Sequence, residues 1–141
     1  MRHIPIIAAI LVAAVLAPVA ASADRMWIGF HDDPILRYDD PAKKASAIDV
    51  ATTTNKATIL RTLVTWANIA PTKPANAANP NDSAYNFADL DDFVRNAQAQ
   101  DAEVLITLWG TPKWANGGKT PNFLPTSMSS FQNFAGHMNV L

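Results

Sequence analysis

Apolar residues along the chain cluster in three short runs, and the stretches between them carry apolar positions at helical spacing. "RMWIGF" (Arg25 to Phe30) reads as a short buried strand, and "HDDPILRYDDP" after it as a loop with two aspartate pairs. "PAKKASAIDVATTT" reads as a weak helix from Pro41 to about Thr54: Pro41 suits a first turn, and the threonine run lowers the propensity near its end. "ATILRTLV" (Ala57 to Val64) is rich in β-branched residues and predicts the second strand. A long segment rich in proline and asparagine follows, a functional, lid-like or flexible loop. The clearest helix comes next, with Asn86 as cap, acidic residues at Asp89, Asp91 and Asp92, and a stripe of Phe87, Leu90, Phe93, Val94 and Ala97. Val104 to Leu108 predicts the third strand. A last helix begins at Ser127 or Ser129, with Phe131, Phe134, Met138 and Leu141 facing inward.

Strand and helix therefore alternate three times. Continuous apolar strands alternating with helices imply an α/β fold with a parallel sheet buried on both faces. In such sheets ligands bind beyond the carboxyl ends of the strands. Unusual residues collect there: His31, Asp32 and Asp33 after the first strand, Trp66 and Asn68 after the second, Trp109, Trp114 and Asn116 after the third. A stable core does not require indoles at strand ends, whereas a cleft that grips a flat hydroxylated ligand uses them.

The first residues carry a different message. "MRHIPIIAAILVAAVLAPVAASA" has a basic start, an apolar stretch from Ile4 to Leu16, a helix-breaking Pro18 and a small-x-small ending at Ala21-Ser22-Ala23. That is the layout of a secretory signal peptide over 1–23, cleaved after Ala23, and the expected location is secreted or periplasmic. The expected mature domain is 24–141, with no membrane association after cleavage. The whole chain has a net charge of −1, and loss of Arg2 makes it one unit more negative. This balance argues against a nucleic-acid or anionic-membrane partner, since both need a cationic surface. Cysteine is absent, so there is no disulfide framework or thiolate chemistry, and the two histidines of the mature chain lie far apart, which argues against a metal site. The triplet Asn81-Asp82-Ser83 is a glycosylation sequon that matters only in a host that glycosylates.

Two features together resemble the first part of a cellulase-like glycoside hydrolase, of family 5 and its relatives among the retaining (β/α)8 glycosidases. One is Arg61 followed by Trp66 in "ILRTLVTWANIAP"; the other is "YNFADLDDFVRNAQAQDAEVLITLWGTPKWA". The resemblance spans roughly Met26 to Phe134. It implies the first three βα units of a TIM barrel, incomplete in this chain, because such barrels need eight units and about 250 residues. It also implies an exported protein acting on a β-linked polysaccharide or oligosaccharide by a retaining two-carboxylate mechanism without a cofactor. The family's acid/base glutamate follows an asparagine on the fourth strand and its nucleophile ends the seventh; neither strand is here. Glu103, the one glutamate, precedes the third strand. Retaining hydrolysis needs two carboxyl groups roughly 5–5.5 Å apart, so no catalytic residue is assigned and the chain alone is expected to be inactive. Many family 5 members carry a histidine near the end of the third strand, where this chain reads "LWGTP", which leaves the substrate open.

The resemblance carries substrate-binding roles to His31, Arg61, Trp66, Trp109, Trp114 and Asn116, and each has a plainer alternative. Arg61 sits on the barrel floor in the family and helps keep the nucleophile ionised; alternatively it is a surface arginine on an edge strand. Trp66, Trp109 and Trp114 are sugar platforms, their indole faces stacking on pyranose C–H groups, or they pack the core; Trp114 also suits a loop anchor. His31 contacts a sugar hydroxyl or bonds Asp33 within a turn. Asn116 and Asn68 are hydroxyl partners or ordinary loop residues, and the Asp32-Asp33 pair reads as a turn or a substrate contact. Trp27 is expected in the core. The competing class is a non-catalytic, exported carbohydrate-binding module. A flavodoxin-like sheet is disfavoured because no Gly-rich phosphate loop follows any strand.

Overall fold

The computed structural model describes residues 26–139; the expected signal peptide, Arg25 and Leu141 lie outside the described residues. Within them the chain builds strand β1 (Gly29–Phe30), helix α1 (Asp33–Leu36), helix α2 (Pro41–Asp49), strand β2 (Ile59–Thr65), helix α3 (Trp66–Ile69), helix α4 (Ala88–Gln98), strand β3 (Glu103–Trp109) and helix α5 (Met128–His137). A wider π-type turn, Val50–Thr54, extends α2, so the expected helix ends where the threonines are. Their hydroxyls bond back to carbonyls one turn earlier, Thr52 to Ile48 and Thr53 to Asp49, which loosens the helical ladder.

The three strands form one parallel sheet in the order β1-β2-β3, with Gly29 beside Ile59 and Ile59 beside Glu103. Burial alternates along β2: Leu60, Thr62 and Val64 are buried, and Ile59, Arg61, Leu63 and Thr65 are only partly covered. Val104, Ile106 and Leu108 of β3 continue the covered face. They join one core with Ile48 and Ala51 behind α2, with Leu90, Phe93, Val94 and Ala97 of α4, and with Phe134 of α5. All the helices therefore lie over one face. The expectation of a sheet buried on both faces is corrected, for the opposite face leaves Leu105 and Trp109 about half exposed. The polar residues of one parity, Arg61 and Thr65 in β2 and Glu103 and Thr107 in β3, mark this open face, but Ile59, Leu63, Leu105 and Trp109 interrupt the alternation.

Two further expectations change. β1 is two residues long, not six, and Trp27 is 64% exposed, so it is not a core residue. Helix α4 begins at Ala88 with Phe87 at the cap position, although the Asn86 side chain still accepts the Ala88 N–H at 3.2 Å. Of the stripe predicted for α4, Leu90, Phe93, Val94 and Ala97 are buried, while Phe87, at the cap, is only partly buried against the core.

Because β1 stops at Phe30, the β1-side edge of β2 lacks a strand partner beyond Leu60. Side chains complete it. Asp33 accepts the Leu63 N–H at 2.9 Å, and Arg37 donates to the Leu63 carbonyl at 3.1 Å. Thr62 links the two, donating to Asp33 at 2.8 Å and accepting from Arg37 at 3.1 Å. Arg37 continues to Asp89 of α4 at 2.7 Å, and Lys44 of α2 reaches Asp92 at 2.6 Å. Buried cations need such partners, and the two pairs tie the first third of the chain to α4.

Candidate functional site at the carboxyl end of the sheet

On the open face the strand register sets Thr65 beside Trp109, Leu63 beside Thr107, and Arg61 beside Leu105. Arg61 leans toward the strand ends: its Nε donates to Thr107 Oγ1 at 2.9 Å, and its Nη1 lies 3.3 Å from His31 Nδ1. Arginine has no acceptor, so Nδ1 receives the guanidinium proton. That tautomer leaves Nε2–H of His31 to donate to Asp33 Oδ2 at 3.4 Å. A polar chain thus runs Thr107–Arg61–His31–Asp33 across all three strand ends.

Trp109 stands at the head of this face, 47% exposed. Its Nε1 donates to Thr65 Oγ1 at 2.9 Å, which pins one edge of the indole while a large part of the ring surface meets solvent. Gly110, immediately after it, has φ +73°, and a Cβ there would come within 2.6 Å of Thr65 Cγ2. Only glycine fits this close approach. Its carbonyl accepts the Ala67 N–H at 2.8 Å and so ties the exits of β2 and β3 together.

The six residues singled out from the sequence therefore divide. His31, Arg61 and Trp109 share the open face. Trp66 is 1% exposed: its ring stacks on Phe134 at 5.2 Å and meets Trp114 edge-on at 5.3 Å, so both of its faces are packed in the core. Trp114 donates Nε1–H to the Ala70 carbonyl at 2.9 Å and anchors the segment after β3 to the segment after α3. Asn116, 1% exposed, donates to the carbonyls of Thr111 and Thr120 and accepts the Lys119 N–H at 2.9 Å. Its amide is spent inside the loop it organises. Asn68 is exposed.

Sequence reasoning missed Thr65 and Thr107, which position Trp109 and Arg61. Their place in a β-branched strand gave no sign of a polar role; only the cross-strand register does. Asp33 was weighed as a turn or contact residue, and it is largely buried, with Thr62, the Leu63 N–H and His31 on its oxygens. Among the described residues no group of three or more His, Cys, Asp or Glu is placed to hold a metal ion, and no helix is long and apolar enough to cross a membrane. The face offers a fixed guanidinium, two threonine hydroxyls, an imidazole and an exposed indole. These are the donor and stacking groups with which a protein holds a polyhydroxylated ring.

Comparison with known protein families finds no family model that matches the chain. Comparison with curated proteins finds no match either.

Proposed function

We propose that the chain forms the first three βα units of a barrel of the retaining glycosidase type in an exported protein, and that the carboxyl end of its open sheet face binds carbohydrate. One observation carries the reading: Trp109 is held half exposed by Thr65 on the same face as the Arg61–His31 pair. A pinned indole beside a guanidinium and hydroxyls is suited to stacking on a pyranose while bonding its edge. The architecture supports the barrel part. A doubly wound sheet reverses its strand order and carries helices on both faces, whereas here the order is sequential and one face bears all the helices. That is how a (β/α)8 barrel begins.

In this reading the chain by itself grips sugar and does not cleave it, and the non-catalytic binding module is favoured over an autonomous hydrolase. The surroundings of Asp33 support this. A general acid must carry a proton at the leaving oxygen, and Asp33 instead accepts hydrogen bonds from the strand it caps. The test is a titration of the full chain with cello- and xylo-oligosaccharides, following tryptophan fluorescence and the release of reducing ends together. Saturable quenching that disappears in Trp109→Ala, without new reducing ends, supports the reading. Absence of quenching by either series overturns it.

A further inference from the structure

Beyond Trp109, away from the Arg61–His31 pair, a cavity of about 330 Å³ opens between the segment following β3 and the start of α5. Leu108, Trp109 and Phe131 line it with the buried Trp66 behind them, and Phe123, Leu124 and Met128 complete the lining. These last three are held out to solvent: Phe123 is about half exposed, Leu124 85% and Met128 57%. Large apolar side chains gathered in one exposed patch mark a binding surface more often than scattered ones.

The lining suits a ring without hydroxyls. Its polar members are Thr111 and Asn122. The Thr111 N–H is spent on the Pro121 carbonyl at 2.8 Å and the Asn122 side-chain oxygen accepts from Thr120 at 2.6 Å, which leaves the Thr111 hydroxyl and the Asn122 amide N–H as the polar groups of a mostly apolar lining. A sugar placed here would lose water around its hydroxyls with few partners in exchange. An aromatic ring would lose little and gain contact with indole and phenyl walls. A cavity of roughly 150 Å³ already accommodates benzene, so this one has room for a fused bicyclic ring. Trp109 belongs to both places: it borders the cavity and heads the open sheet face.

We infer that this cavity takes the aromatic aglycone of a glycoside whose sugar lies on the open face, so that Trp109 contacts both halves of the ligand. The inference rests on the carbohydrate reading above and names the ligand class more narrowly: aryl glycosides, not plain oligosaccharides.

The experiment is calorimetric titration of the full chain with 2-naphthyl β-cellobioside and β-xylobioside, the matching free disaccharides, and 2-naphthol alone. The expected result is that a naphthyl glycoside binds about tenfold or more tightly than its free disaccharide, the gain that burial of one ring provides. That ratio should fall toward one in Phe123→Ser and, separately, in Met128→Gln; both positions are surface-exposed, so either variant keeps the test open if the other fails to fold. Glycosides that bind no more tightly than the free disaccharides overturn the inference and leave the carbohydrate reading standing. Binding of 2-naphthol that depends on Phe123, with no binding of any disaccharide and no gain for the glycosides, establishes the cavity but overturns the linkage to a sugar and the carbohydrate reading with it. No binding by any of the five ligands overturns both.

Discussion

The indole of Trp66 lies nearly parallel to the ring of Phe134, with centroids 5.2 Å apart and planes 13° from each other. This contact joins the exit of β2 to α5 on the covered side of the sheet, and Trp114 and Phe131 close around it. Truncating a buried aromatic removes its burial and leaves a cavity, so Trp66→Ala or Phe134→Ala should each cost about 3–5 kcal/mol. Trp66→Phe should be much milder. The Trp66 Nε1–H is buried without a partner, and an unmade hydrogen bond costs about 1–3 kcal/mol. Losing that group offsets part of the lost volume. Urea unfolding of the three variants checks the ranking; a Trp66→Phe as damaging as Trp66→Ala would contradict it.

Asp33 and Arg37, in and just after α1, should prove to be structural supports of the β2 edge, not surface charges. Asp33→Ala strips the Leu63 N–H and the Thr62 hydroxyl of their partner in a buried setting. Each such loss costs about 1–3 kcal/mol. Asp33→Asn keeps an acceptor for one of them and should fall between wild type and Ala. Amide exchange at Leu63 gives the specific readout: its protection should drop sharply in Asp33→Ala, while that of Leu90 in α4 follows only the global change.

Much of this architecture was legible in the chain, for reasons that also explain what was not. β2, β3 and α4 were visible because β-branched runs and a clean apolar stripe are local signals. The tryptophans were ambiguous because their fate depends on register. Thr65 pairs with Trp109, so Trp66, one residue further along, turns toward the helices while Trp109 turns toward the open face. The polar residues sharing Trp109's parity, Thr65, Glu103 and Thr107, are a local hint, but the apolar Leu63 and Leu105 on the same parity obscure it. The Asp33–Thr62–Arg37 network joins residues 25 and 29 positions apart, beyond any periodicity. Asn116 looked like a candidate ligand for a sugar because a loop asparagine that binds its own loop has the same local sequence as one that does not.

The long segment between α3 and α4 should loosen in acid. Asp82 accepts N–H bonds from Asn76 and Ala84, and its pKa is held below the usual carboxylate value chiefly by the Asn76 N–H and then by that of Ala84. A carboxylate with a lowered folded pKa stabilises above its unfolded value and loses that contribution as pH falls through the folded one. The unfolded value is about 4, so the change belongs below it. Exchange protection at Asn76 and Ala84 should fall from pH 5 to pH 3 in wild type. In Asp82→Asn it should already be reduced at pH 5 and respond little to further acid. Equal pH responses in both proteins would assign the effect elsewhere.

Gly110 and Thr65 allow stability and ligand grip to be separated. Gly110→Ala places a Cβ against Thr65 Cγ2 in a backbone region with positive φ, a strain of about 1–3 kcal/mol, and the clash pushes on the residue whose hydroxyl holds Trp109. It should therefore lower the unfolding midpoint and weaken oligosaccharide-dependent quenching together. Thr65→Val keeps the β-branched shape in a strand and removes only the acceptor of the indole N–H. Because that hydrogen bond is solvent-exposed, the loss in stability should stay near 0.5–1 kcal/mol, while the freed indole samples more orientations and quenching requires several-fold more ligand. Unfolding midpoints and fluorescence titrations on the same two variants make the comparison. If Thr65→Val bound oligosaccharide as tightly as wild type, the Thr65–Trp109 bond would be a packing detail and not the element that presents the platform.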